Sequence, residues 1–205
     1  MNAPLSRVKR GRTFDQVLEG AREVFLQDGF EGASVDTIAK AAGVSKATLY
    51  SYFPDKRLLF IEVATSECRR QAETALDEID MTRPPGEVLT LAAGRMVGFF
   101  LSEFGRGVFR IVVAENERFP ELGREFWENG PARARAVLIA YFEAAAARGE
   151  LAIEDMELAA DQFAELCKAD LFPRMLMGLS REFTEAERSR VIRGAVAMFL
   201  ARYGT

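Results

Sequence analysis

Apolar residues in this 205-residue chain recur at spacings of three and four. No stretch sustains the every-second-residue alternation of a half-buried strand, so the expected fold class is all-α. Phe14, Val17, Leu18, Ala21, Val24 and Phe25 share one face of an amphipathic helix, with Thr13 placed to cap it and Gly29 to stop it. Ser34 opens a second, short helix whose inward positions are Val35, Ile38, Ala39 and Ala42, ended by Gly43. Ser45 opens a third, from Lys46 to Tyr52. Pro54-Asp55 leads into a fourth from Lys56 to Ile79, about 35 Å long at 1.5 Å per residue. After the break at Arg83-Pro84-Pro85-Gly86, helical patterns are expected over 87–104, 107–117, 121–147, 155–178 and 184–203, punctuated by Gly105, Phe119-Pro120, Gly130-Pro131, Gly149 and the Gly178-Leu179-Ser180 turn.

Composition removes several classes of chemistry. With 49% apolar and 28% charged residues, the chain can bury a core of one compact domain or two small ones. It has no histidine, which excludes a Ser-His-Asp triad, a Cys-His nucleophile pair and a His-ligated zinc site. Cys68 and Cys167 form no CxxC pair, so neither a thiolate metal site nor a disulfide framework is expected. No cofactor and no metal are expected. There is no secretory signal pattern at the N-terminus and no run of about 18 uncharged apolar residues. A cytoplasmic protein with no membrane partner is the expectation.

Charge is distributed unevenly. Residues 1–60 hold nine basic against seven acidic side chains, a net +2, within a total of −4 that leaves −6 for the remainder. Arg7, Lys9, Arg10 and Arg12 form a basic arm with no acidic residue among them. A polyanion would be drawn to this end of the chain and repelled by the other.

Two short helices around a glycine turn form a helix-turn-helix. The small Ala39 and Ala42 are expected to let the second helix approach the third, Gly43 to permit the turn, and Val44 to seal it against the first helix. Leu49 and Phe53 then point inward, while Ser45, Lys46, Thr48, Tyr50 and Tyr52 make an outward face. That polar, aromatic and cationic surface suits a major groove about 12 Å wide. The N-termini capped by Ser34 and Ser45 would turn N–H groups toward phosphates, with Lys56 adding a charge.

The run Thr37-Ile-Ala-Lys-Ala-Ala-Gly-Val-Ser-Lys-Ala-Thr-Leu-Tyr-Ser-Tyr-Phe-Pro-Asp-Lys56, preceded by Phe25, Gly29, Phe30 and Gly32, resembles the DNA-binding signature of the tetracycline-repressor (TetR) family of bacterial transcription regulators. The resemblance spans residues 12–60. It implies an N-terminal three-helix DNA-binding domain (residues 1–55) and a larger C-terminal ligand-binding and dimerisation domain (residues 56–205), joined by the helix from Lys56. It places Lys46, Ala47, Thr48 and Tyr52 at positions facing bases or sugar, Tyr50 and Lys56 at phosphate positions, and Ser34 and Thr37, with the cap Ser45, along the backbone. Gly43 and Leu49 match structural positions. The basic arm resembles one that some members lay in the minor groove. Most members are repressors released from an operator in double-stranded DNA by a small-molecule effector.

Glu157–Cys167 and Ala195–Tyr203 resemble the last two helices of a common TetR C-terminal subtype, which form a four-helix bundle with their copies in a homodimer. Leu158, Phe163, Leu166, Leu171, Ala195, Met198 and Phe199 are its apolar positions, divided between core and interface. Two recognition helices related by a twofold axis would read a palindrome, and the long fourth helix would be the lever an effector moves.

Sixteen phenylalanines are present, many of them in the middle of the chain. Phe99, Phe104, Phe109, Trp127, Phe142 and Phe163 are the candidates for an aromatic effector pocket, with ordinary core packing as their alternative. Arg95, Arg110, Glu115, Asn116 and Lys168 could orient a ligand or simply face water. An activator of the same fold, or a DNA-binding regulator of that fold that meets a protein partner instead of a small molecule, is a second reading. A helical enzyme using Cys68, or carboxylates such as Asp155, Glu157 and Asp161, is a third, and a purely structural helical module the last.

Overall fold

The computed structural model describes residues 11–78, 80–117 and 120–205, and among them every regular element is a helix. In chain order these are α1 (Arg12–Gly32), α2 (Val35–Ala41), α3 (Lys46–Tyr52), α4 (Lys56–Glu78), α5 (Pro85–Leu101), α6 (Glu103–Glu115), α7 (Pro120–Asn129), α8 (Pro131–Ala147), α9 (Met156–Leu166), α10 (Leu171–Leu176) and α11 (Glu185–Tyr203). Of the basic arm, only Arg12 lies within the described residues.

Several boundaries follow caps and breakers visible in the sequence. The cap of α1 is Gly11 rather than Thr13, which is the second residue of the helix. At Gly29 the backbone leaves helical angles (φ 68°, ψ −176°), a conformation open to a residue without Cβ. Ser34 and Thr37 form a reciprocal capping box for α2, and Ser45 accepts from the Thr48 N–H at the start of α3. The helix expected over 121–147 is two helices. Pro131 opens α8 without an N–H to give the preceding turn, and Gly130 closes α7 by donating to Phe126 O at 2.9 Å. The helix expected over 155–178 is also two, because Asp170 adopts φ 64° before α10. Asp155 caps α9, and Thr184 with Glu187 forms a capping box on α11.

The helices form two compact units. The first contains the chain through Arg70 together with Glu103–Pro131, and the second contains Gln71–Ser102 with Ala132–Thr205. The boundary expected between residues 55 and 56 therefore falls inside the first unit. The reason is packing: Leu59, Phe60 and Ile61 of α4 are fully buried there, with Phe60 against Phe25 (4.8 Å between centroids) and Phe104 of α6 (5.3 Å). The core of this unit is aromatic, running from Phe14, tilted against Phe53 at 5.5 Å between centroids, through Phe25 to Phe60.

A close crossing of α1 over the end of α2 sets the position of the helix-turn-helix. A Cβ on Gly20 of α1 would lie 2.4 Å from Ala42 N and 2.7 Å from Ala42 Cβ. Ala42 is thus small because α1 crosses there, not because α2 approaches α3. An isolated glycine within a helical pattern is a sequence signal of such a crossing.

The second unit packs α5, α8, α9, α10 and α11. Phe199 of α11 touches Phe142 (5.0 Å), Phe163 (5.3 Å) and Tyr203 (4.8 Å). The Tyr141 hydroxyl, on a wholly buried ring, donates to Arg83 O at 2.7 Å and ties α8 to the loop before α5. The C-terminus is held by Ala152 N donating to Tyr203 O at 2.8 Å.

Gly20→Ala is expected to lower stability by about 1–3 kcal/mol, because the added methyl meets backbone. Urea unfolding checks this. A stability gain, as a helical Gly-to-Ala change gives where space is free, would contradict the crossing.

Candidate nucleic-acid interface

A seven-residue helix is too short to persist alone, so its orientation depends on capping and packing. Both supports are present in α3. Ser45 Oγ accepts from Thr48 N at 3.0 Å and lies 2.8 Å from Thr48 Oγ1. Leu49 and Phe53 are each 1% exposed, and Tyr52 meets the edge of Phe14 at 5.9 Å. Gly43 (φ 64°) supplies the left-handed turn residue, with Val44 N donating to Ala39 O at 3.0 Å.

This anchoring leaves one face of α3 outward. Ser45, Lys46, Ala47, Tyr50 and Ser51 are exposed, while Thr48 and Tyr52 are half-buried. Ser34 and Thr37 are exposed at the start of α2, where Thr37 N donates to Ser34 Oγ (3.0 Å) and Ser34 N to Thr37 Oγ1 (3.1 Å). The four hydroxyls of Ser34, Thr37, Ser45 and Thr48 therefore have partners within the domain. Each keeps further capacity for hydrogen bonding.

Lys56 sits differently from the others. Its ammonium donates to Phe30 O (2.8 Å) and Ala33 O (2.9 Å) and lies 4.3 Å from the centre of the Phe30 ring. It closes the segment between the Gly29 kink and α2. Any phosphate contact by Lys56 competes with these two carbonyls. The sequence reading missed this role, and it also missed Asp36, whose carboxylate pairs with Lys46 across the turn. Ten residues separate Asp36 and Lys46, and only the turn geometry brings them together.

Charged links also tie the flanking helices. Arg57 of α4 donates to Glu115 of α6 at 2.6 Å and forks onto Asp55, and Arg22 of α1 donates to Glu67 of α4 at 2.8 Å. A cavity of about 210 Å³ beside Arg57 is lined by Phe30, Glu103, Arg106, Arg110 and Glu115, among others. The charges around it are largely matched within the protein, Arg110 with Glu31 and Arg106 with Glu103.

The six aromatics considered for an effector pocket divide between the two units. Phe104 is buried against Phe60, Phe109 is half-buried, and Trp127 is 49% exposed in the first unit. Phe99 contacts Phe100 in the second, where Phe142 and Phe163 are fully buried against Phe199. Close packing is what the structure gives Phe104, Phe142 and Phe163. A larger open cavity, about 540 Å³, runs along α9 and α11 between Leu158, Leu166, Ala169, Met198, Phe199 and Tyr203. Of the expected apolar positions, Phe163, Leu171, Ala195 and Phe199 are core, whereas Leu158 (51%) and Met198 (63%) are exposed beside this groove.

The residues weighed for enzyme chemistry have other occupations. Burial pushes the Cys68 and Cys167 thiols up to about 12, far from the thiolate form a nucleophile needs. Asp155 caps α9, and Glu157 and Asp161 pair with Arg135. No group of three or more metal-ligating side chains occurs among the described residues, and no described helix is long and apolar enough to cross a membrane.

Comparison with known proteins bears directly on this geometry. Residues 17–63, which contain the whole helix-turn-helix, match the bacterial regulatory proteins of the tetR family, and residues 87–205 match the C-terminal domain of AefR-like transcriptional repressors. The chain belongs to the TetR family. The chain is 41% identical over 59 residues to the transcriptional repressor AcnR of Corynebacterium efficiens, covering 29% of this chain and 31% of that protein. The chain thus aligns with about a third of the length of that curated relative. Solved TetR-family structures match along nearly the entire chain. A family member from Mesorhizobium loti superposes with a TM-score of 0.77 at 28% identity, covering 96% of this chain and all of that one. The flavonoid-responsive regulator FrrA gives 0.65 at 35% identity, covering 95% and 98%.

Two outcomes test the local geometry. Lys56→Met is expected to cost about 1–2 kcal/mol in chemical denaturation, since two carbonyls lose their donor. Unchanged stability would show that the Lys56 bonds contribute nothing. Iodoacetamide at pH 8 is expected to label neither thiol of the folded protein, as followed by mass spectrometry. Rapid labelling of the half-buried Cys68 before unfolding would contradict the raised pKa of its thiol.

Proposed function

We propose that this TetR-family protein is a transcriptional repressor that binds a palindromic operator as a homodimer and is released by a small hydrophobic or aromatic molecule. The observation that carries the reading is the outward face of α3. Lys46, Ala47 and Tyr50 are exposed on a helix whose opposite side, Leu49 and Phe53, is fully buried. On this reading Lys46, Ala47, Thr48 and Tyr52 meet bases or sugar, Tyr50 meets phosphate, and Ser34, Thr37 and Ser45 sit along the backbone. Lys56 acts there first by holding the turn before α2. The protein works in the cytoplasm, where its DNA is.

The homodimer uses α9 and α11. Leu158 and Met198 leave an apolar groove open at the surface of a well-packed unit, and a second copy related by a twofold axis buries it with the same residues. Two recognition helices then read two half-sites one turn or a multiple apart. The kind of effector is supported by the 35% identity to FrrA, which is named for its response to flavonoids, and by the many phenylalanines of this chain.

Fluorescence anisotropy on a duplex enriched from a random-sequence pool tests this. Binding is expected to weaken by about 0.9 log units per contacted phosphate for each log unit of salt. A panel of flavonoids is expected to contain a compound that releases the duplex. Met198→Glu is expected to halve the mass in sedimentation and to weaken DNA binding. Salt-insensitive or absent DNA binding would refute the reading, and an intact dimer in the variant would refute the proposed interface.

A further inference from the structure

The ion pair between Asp36 and Lys46 crosses the turn of the helix-turn-helix, joining the first turn of α2 to the first residue of α3. Both side chains lie open to water, 59% exposed for Lys46 and 67% for Asp36. A pair this exposed contributes little to stability, so its consequence is to be sought in what the two charges present to DNA. An unpaired ammonium at this position would take any phosphate and release a counterion, whatever the base sequence. Paired, it meets a phosphate with its charge already matched and with a carboxylate alongside that repels the backbone.

We propose that Asp36 is a specificity-determining residue, which holds Lys46 back from non-cognate phosphates and yields it only to a base edge in the correct half-site. The inference rests on the DNA-binding reading above and adds a residue acting against the wrong DNA. The competing acceptors are of known chemistry. The guanine O6 and N7 atoms in the major groove offer a lysine two acceptors, which a correctly seated α3 would bring within reach. On mismatched DNA those acceptors are misplaced, the ammonium stays on Asp36, and the matched pair offers the phosphates no net positive charge. Discrimination thus comes partly from binding that Asp36 prevents, and the cost of the device is a lower overall affinity.

The test is a double-mutant cycle in the full-length protein. Asp36→Asn, Lys46→Gln and the double variant are titrated by anisotropy against two duplexes. One is the duplex enriched from a random pool by the wild-type protein, and the other is a scrambled duplex of equal length and composition. Asp28→Asn, which removes an exposed carboxylate from α1, controls for net charge. Asp36→Asn is expected to tighten binding to the scrambled duplex about threefold to tenfold near 0.1 M salt and to steepen its salt dependence by about 0.9 per subunit. Binding to the enriched duplex should change less, so the ratio of the two affinities falls. In the Lys46→Gln background the same change should lose most of its effect. Circular dichroism melting confirms that the variants are folded.

An unchanged affinity ratio in Asp36→Asn would overturn the proposal. So would an undiminished effect in the Lys46→Gln background, or an equal effect from Asp28→Asn. Wild-type protein that binds neither duplex in a salt-sensitive way would instead overturn the DNA-binding reading, and this inference with it.

Discussion

A helix of seven residues has almost no stability of its own, and the structure around α3 is arranged to supply it. Its inner side is fixed by Leu49 and Phe53, buried under α1 through the contact of the Phe14 and Phe53 rings. Its start is fixed by Ser45, and its angle to α2 by Gly43. The pair α2–α3 is in turn positioned by the crossing of α1 at Gly20 over Ala42, where there is no space for a side chain. Lys56 closes the third side by binding the carbonyls of Phe30 and Ala33. Each support acts from behind, so the face left open is the one that bears Lys46, Ala47 and Tyr50. A surface held this firmly before binding loses little conformational freedom on docking, which favours a rigid reading of a groove.

Much of this was legible in the residues. The caps Ser34 and Ser45, the turn at Gly43 and the inward Leu49 and Phe53 follow from local chemistry that operates within a few positions. What was not legible depends on contacts between distant segments. Lys56 looks in the sequence like one more cation beside a DNA-binding motif, and only the return of the chain past Gly29 shows its ammonium on two carbonyls. Asp36 carries no signal either, because its partner lies across a turn whose geometry the sequence does not state. In the C-terminal half, the breaks at Pro131 and Asp170 separate helices that periodicity alone runs together. Gly130-Pro131 marks the first of these breaks in the sequence, whereas a non-glycine residue at φ 64° gives no warning.

The two halves of the function also differ in how directly residues express them. A DNA-reading helix must show its chemistry at the surface, and capped short helices with a polar outer face are recognisable as such. An effector site in a helical unit is made of the same phenylalanines as the core. Phe142 and Phe163 illustrate this, since both are buried against Phe199 and fill the second unit as ordinary packing. Exposure separates surface from core more clearly on α9 and α11. Phe163 and Phe199 face inward, while Leu158 and Met198 remain at the surface, a division that helical spacing could not make.

The account depends on the outer side of α3 being the part of the protein that enters DNA. Photo-crosslinking addresses this directly, with a benzophenone-bearing phenylalanine placed at Tyr50 and, for comparison, at the exposed Leu91 of α5. Irradiation of the protein bound to its enriched duplex is expected to attach DNA at position 50 and not at position 91. A complex that crosslinks from position 91, or that forms fully while position 50 stays unattached, would contradict the assignment of α3 as the recognition element.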